Sequence, residues 1–147
     1  NGKHIVVTGA TAGIGHSSAL TLAQMGADLT LLSRNAAKAE ALAQEIVNAG
    51  GSSPTLIAMD MASLASVRDA ASACLALNKP IDVLLNNAGV VNTTRVESAD
   101  GFEETLAVNH FAPLFYCFLV FHRRTRFRRR GGNAPPPLFS LMPAPHE

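Results

Sequence analysis

The chain has 147 residues, 48% hydrophobic and 16% charged, which is enough to bury one core and too short for two. Its longest uninterrupted apolar run, Leu114 to Phe121, falls far short of the roughly 18 residues a bilayer span needs, so no membrane partner is expected, and no charged-then-apolar leader precedes the first strand. Cys74 and Cys117 are the only cysteines and lack any CxxC or Cys/His spacing, which argues against a metal site or a disulfide framework and fits a cytoplasmic location.

In chain order, the first element is His4-Ile5-Val6-Val7-Thr8, a short β-branched run that reads as a buried parallel strand. It leads straight into Thr8-Gly9-Ala10-Thr11-Ala12-Gly13-Ile14-Gly15 and then a helix-like segment, Ile14 to Met25. Such a turn lets the backbone approach a pyrophosphate, and the helix N-terminus offers it unpaired N–H groups and a positive dipole end. Gly9 permits the sharp turn, Gly13 removes a side chain where phosphates would sit, and Gly15 lets the helix pack closely on the sheet. The competing reading is an ordinary strand-to-helix turn. Further strands are expected at Leu29–Leu32, Thr55–Met59 and Ile81–Leu85, with helices at Ala36–Ala49 and Leu64–Leu77 between them. Gly26 and Gly50 serve as C-caps and Ser63 as an N-cap. Right-handed crossovers with helices on both faces predict an α/β fold with a doubly wound parallel sheet of order 3-2-1-4, its ligand at the carboxyl ends beside Gly9, Ser33, Asp60 and Asn86.

Four motifs in this order resemble the classical short-chain dehydrogenase/reductases: Thr8-Gly9-xxx-Gly13-Ile14-Gly15, Asp60-Met61, Asn86-Asn87-Ala88-Gly89 and Val108-Asn109. Ser33-Arg34-Asn35 and the run Gly101 to His110 are similar to the retinol-dehydrogenase-like branch. The resemblance covers residues 1 to about 118. It implies a Rossmann-type fold, here truncated after the fourth helix, and an oxidoreductase that interconverts small alcohols and carbonyls by hydride transfer, commonly as a homo-oligomer. Residue by residue, it implies that Gly9, Thr11, Gly13 and Ile14 line the pyrophosphate and ribose, Asp60 and Met61 meet the adenine, and Asn87, Ala88 and Gly89 border the adenine ribose. For Asp60 a turn role before Ser63 is the alternative. Asn86 is assigned a structural role, satisfying backbone groups and tying the sheet together. Asn109 is the one catalytic candidate: the family uses the backbone carbonyl of this Asn, freed by a local helix distortion, to hold a water in a proton relay. Pro113 could supply that distortion. His16 and His110 read as exposed or packing residues.

Cofactor choice turns on the end of the second strand. An NAD site usually places an acid about 20 residues past the glycines, whereas here the position is Ser33-Arg34, a hydroxyl and a guanidinium suited to a 2′-phosphate. NADP(H) is therefore the expected cofactor and NAD(H) the alternative; a solvated Arg34 beside Lys38 and Glu40 is the competing reading.

In the family a Ser on the fifth strand and a Tyr-xxx-Lys pair on the next helix carry the chemistry. The only tyrosine here, Tyr116, is followed four residues later by Val120, no lysine occurs after Lys79, and Ser140 sits in Pro-rich surroundings unlike a buried strand. Residues 1–121 hold six basic and ten acidic groups, net −4, whereas six arginines fall between Arg123 and Arg130 and five prolines between Pro135 and Pro145. The organisation expected is thus a nucleotide-binding domain over 1–121 and an Arg- then Pro-rich tail over 122–147. That tail reads as a frame or splice replacement of the family's second half, a basic arm for nucleic acid or an acidic partner, or an inert disordered end; nucleic acid is not the expected partner. Three functional classes follow: the oxidoreductase in incomplete form, a non-catalytic NADP(H)-binding module, and a basic interaction protein. An open edge at the fourth strand and uncovered Leu114, Phe115, Phe118 and Phe121 would favour self-association.

Overall fold

The computed structural model describes residues 2–128 and 138–141, with side chains described through Phe121. Strands β1 (His4–Thr8), β2 (Asp28–Ser33), β3 (Thr55–Ala58), β4 (Val83–Asn86) and β5 (Leu138–Leu141) alternate with helices α1 (Gly13–Gln24), α2 (Ala36–Asn48) and α3 (Leu64–Ala76). A last, continuous helix consists of α4 (Glu104–Leu106), a π-helical turn (Ala107–Phe111) and α5 (Ala112–Arg128). The sheet is entirely parallel, in the order β3-β2-β1-β4-β5, as the strand and helix spacing predicts for its first four strands.

The pleat sorts β1 between two cores. Val6 points to one face with Leu32, Leu84, Val67, Cys74, Ala112, Tyr116 and Val120, under α3 and α5. Ile5 and Val7 point to the other with Leu29, Leu31, Ala19, Ala23, Leu42 and Ile46, under α1 and α2. At the amino end of the sheet, buried His4 places Nδ1 at 2.9 Å from the Pro80 carbonyl oxygen and Nε2 at 2.8 Å from Thr30 Oγ1, which joins β1 to β2 and to the approach of β4.

At the carboxyl end, Thr8 is the junction. Its Oγ1 accepts hydrogen bonds from the backbone N–H groups of Asn87 and Ala88, both at 3.0 Å, and donates to the Leu85 carbonyl at 3.4 Å. The first glycine turn is thereby held against the chain leaving β4. Three helices start on side-chain caps: Asn35 accepts from Lys38 N–H, Ser63 from Ser66 N–H, and the Glu103 carboxylate from the N–H groups of Thr105 and Leu106 at 2.9 and 2.8 Å. The start of α1, at Ala12, has no side-chain cap.

Two expectations are corrected. The edge of β4 is paired along Val83–Asn86 by β5, and Ser140 lies in that strand opposite Leu85. Proline density hid it: Leu138–Leu141 is a proline-free apolar window, and an open edge of backbone donors and acceptors suffices to pair four such residues. Counting only unbroken apolar runs also understated the last helix, since Glu104–Phe121 has 18 residues and a mean hydropathy of 1.3, meeting the length and composition of a bilayer span. Its face through Ala112, Tyr116 and Val120 is packed in the core. Of the expected tail, 122–128 continue α5 and 138–141 form β5, while 129–137 and 142–147 lie outside the described residues.

Replacing Thr8 by Val keeps the shape but leaves two part-buried N–H groups without an acceptor, so unfolding in urea should show a loss of about 2 kcal/mol or more, with Thr8→Ser close to the parent. Hydrogen bonds from Thr105 and Leu106 hold the Glu103 carboxyl below its ordinary range. A carboxyl depressed on folding stabilises above its unfolded pKa and loses that contribution as pH falls through its folded one. Protection of the Thr105 and Leu106 amides, taken relative to the intrinsic exchange rate at each pH, should therefore fall under acid in the parent, while Glu103→Ala lacks it at every pH.

Candidate functional site

A cleft of about 490 Å³ opens at the carboxyl ends of β1 to β4. Every cofactor-binding residue expected from the sequence borders it: Gly9, Thr11, Gly13, Ile14 and Gly15 on the first turn, Ser33 and Arg34 after β2, Asp60 and Met61 after β3, and Asn87, Ala88 and Gly89 after β4. Asn109 does not line it.

The floor is set by close backbone approach. Gly9 has φ +66°, and a Cβ there would lie 2.6 Å from Ala88 Cα; a Cβ on Gly15 would overlap the Gly9 carbonyl oxygen and Asn87 Nδ2. Asn87 Nδ2 donates to the carbonyls of Gly9 and Thr8 at 3.0 and 3.2 Å. Gly13 stands at φ +52° with open space where a side chain would project. The uncapped first turn of α1 faces the same cleft, so its N–H groups and the positive helix end have no anionic or hydroxyl side chain from the protein. A bare cradle at a helix start fits a pyrophosphate.

At the end of β2, Ser33 Oγ accepts from Asn35 N–H at 3.2 Å and donates to the Asn35 carbonyl at 3.3 Å, while Asn35 caps α2 through Lys38 N–H at 3.0 Å. This turn holds Arg34 and Lys38, both exposed, on the rim of the cleft. Among the described residues neither side chain has an ion-pair partner. Asp60 borders the cleft and also fulfils the turn role read as its alternative, accepting from Ala62 N–H at 2.9 Å.

Asn109 lies in the π-helical turn, where Ala112 N–H reaches back to the Ala107 carbonyl. Pro113, with no N–H, cannot satisfy the Asn109 carbonyl four residues before it. The Asn109 side chain clamps the loop after β4: its Oδ1 accepts from Val90 N–H and its Nδ2 donates to the Val90 carbonyl, each at 2.8 Å. Val90 and Val108 in turn line the cleft. Asn86 differs from its expected role. Its side chain turns to the α5 face, with Nδ2 at 3.6 Å from Cys117 Sγ and Oδ1 buried without a partner among the described residues, and the backbone tie is made by Asn87. Successive residues leaving a strand point to opposite faces, which separates the two asparagines.

Tyr116 is fully buried and does not line the cleft, and among the described residues its hydroxyl has no nitrogen or oxygen partner. Burial, reinforced by the Cys74 and Cys117 thiols, pushes its pKa far above that of an ordinary tyrosine. His16 pairs with Glu45 at 3.0 Å and His110 packs edge-on to Phe111. Among the described residues no group of three His, Cys, Asp or Glu side chains could hold a metal ion. Thr8 and Lys38 went unnoticed in the sequence as site residues. An NAD-type search for an acid after β2 gives no reason to look four residues further, and a strand-end threonine carries no motif of its own.

The sequence profile of the short chain dehydrogenase family matches residues 3–133. Human retinol dehydrogenase 11 is 39% identical over 123 residues, covering 83% of this chain and 39% of that protein. Among solved structures, a short-chain dehydrogenase from Sphingobium yanoikuyae in complex with NADPH superposes with a TM-score of 0.71 at 27% identity, over 85% of this chain and 50% of that one. A metagenomic short-chain oxidoreductase in complex with NADP gives 0.74 at 32% identity, over 86% and 58%. The chain thus spans about two fifths of the length of the retinol dehydrogenase that it matches. With the glycine turn, the asparagine clamp and the parallel sheet in agreement, the chain belongs to the short-chain dehydrogenase/reductase family, in its retinol-dehydrogenase-like branch.

Proposed function

We propose that residues 1–121 bind NADP(H) and supply the cofactor-binding part of an oxidoreductase acting on small alcohols or carbonyl compounds. The observation that carries this reading is the pairing of a bare, uncapped α1 start with two cations, Arg34 and Lys38, that have no ion-pair partner among the described residues, on the rim of one cleft. The first turn of α1 receives the pyrophosphate, Arg34 and Lys38 the 2′-phosphate, and Asp60, Met61 and the Asn87–Gly89 segment the adenosine. NADP(H), when bound, supplies or accepts the hydride.

A second reading concerns turnover. The sequence as given has no Tyr-xxx-Lys pair, and the burial of Tyr116 supports its being a core residue rather than a proton donor. Asn109 can orient a water through its backbone carbonyl, yet that leaves the relay without an acid. The chain as given then acts as a binding module that does not turn over.

Titration of NADPH and NADH by calorimetry tests the first reading. Arg34→Ala should weaken NADPH by about 1.5 to 3 kcal/mol, the usual range for a hydrogen bond to a charged group, and Lys38→Ala by a similar or smaller amount, both with NADH nearly unchanged. Equal losses for both cofactors would reduce the two cations to supports of the fold. For the second reading, NADPH oxidation followed optically over a panel of aldehydes, ketones and retinoids should stay at background, since general acid catalysis alone typically contributes 10²- to 10⁴-fold. Saturable turnover abolished by Tyr116→Phe would overturn it.

A further inference from the structure

The chain leaving β4 is tied to the last helix at Val90 and again at Asn92. Asn109, in the π-helical turn, takes both backbone groups of Val90, each at 2.8 Å. Asn92 is held by α4, just before that turn: its Nδ2 donates to Glu104 Oε2 at 2.6 Å and its N–H to Thr105 Oγ1 at 3.4 Å. Val91, between the two anchored residues, is 69% exposed, so burial does not fix the segment there and its position depends on these hydrogen bonds. Glu104 stands in the first turn of its helix, where a negative charge is favoured. Arg95 pairs with Glu97 instead, and among the described residues Glu104 has no ion-pair partner. Its carboxylate is committed to Asn92, and a hydrogen bond to a charged acceptor is the stronger kind.

We propose that Asn92 and Glu104 are positioning residues for the nicotinamide half of the cofactor, an inference that rests on the NADP(H) reading above. With the 2′-phosphate at Arg34 and Lys38 after β2, and the pyrophosphate at the start of α1 after β1, a bound dinucleotide runs from the β2 side toward the β4 side, because β1 lies between those strands. Its second half then meets the wall to which Val90 and Val108 belong. Neither Asn92 nor Glu104 lines the cleft, so both act on that wall through Val90. Asn92 follows Val90 by two residues and Glu104 precedes Asn109 by five, so the two ties and the two short stretches of chain between them close a small ring. Opening the ring at Glu104 leaves Asn109 as the single side-chain anchor of the wall. The competing account is that the bond only holds the loop on the fold, which predicts the same effect on every ligand of the cleft, or none.

Calorimetric titration of the full chain with NADPH and with 2′,5′-ADP separates the two accounts, since 2′,5′-ADP carries the adenosine and its 2′-phosphate but no nicotinamide. Glu104→Ala and Asn92→Ala should each weaken NADPH by about three- to tenfold and leave 2′,5′-ADP within about twofold of the parent. Glu104→Gln keeps an acceptor on the same side chain and should recover most of the loss, and the double alanine variant should lose no more than either single one. Far-UV circular dichroism checks that the variants keep the parent fold, and Asn92→Ser takes the place of an alanine variant that does not. Equal losses for both ligands, or none for either, overturn the positioning role and leave NADP(H) binding standing. A parent that binds NADPH no more tightly than 2′,5′-ADP also overturns it, because the wall after β4 then adds nothing for the second half. A parent that binds neither ligand removes the NADP(H) reading itself, and the positioning role with it.

Discussion

The contact on which the rest of the molecule depends is the backbone approach between the turn after β1 and the chain leaving β4. Gly9 and Gly15 bring the start of α1 against Asn87 and Ala88 at distances that no Cβ would permit, and donors on Asn87 and Ala88 lock the two segments through acceptors on Thr8 and Gly9. Two neighbouring parallel strands thereby end on one rigid rim. Since β1 is central and fully buried, the position of that rim is inherited from the core. A cleft built this way is preformed, so a ligand entering it need not organise the backbone first.

The treatment of helix starts follows the same logic. Asn35, Ser63 and Glu103 satisfy the first N–H groups of their helices from within the protein, and α1 alone among these is left bare. Burying an uncapped helix end would be costly, yet here the end opens on solvent and on a cleft of about 490 Å³. Arg34 and Lys38 lie along the same rim, so positive potential from a helix dipole and from two side chains converges on a site suited to several phosphates.

The π-helical turn links this site to the last helix. One extra residue between Ala107 and Phe111 shifts the register, so Asn109 faces Val90 and braces the cleft wall while Tyr116 and Val120 still reach the core and Leu114 and Phe118 still face outward. Bracing by Asn109 is a side-chain role, whereas the catalytic expectation concerned its backbone carbonyl. Both can coexist, since the amide groups and the carbonyl are separate atoms.

Short-range patterns determined most of this chain. β-branched runs, alanine-rich helical spacing and cap residues are local signals, and they placed β1 to β4, α1 to α3 and their parallel order, while the glycine turn, the Ser33-Arg34 position and the family resemblance marked twelve of the residues that line the cleft. Tertiary structure alone decided the remainder, because it turns on which groups meet across long stretches of chain. That Thr8 rather than Asn86 joins β1 to β4 depends on which way a side chain leaves its strand. That Lys38 shares a rim with Arg34 depends on how α2 is capped. A tetrapeptide among prolines forms β5 because an open edge 55 residues earlier in the chain offers it backbone partners, and no window of sequence contains both halves of such a pair.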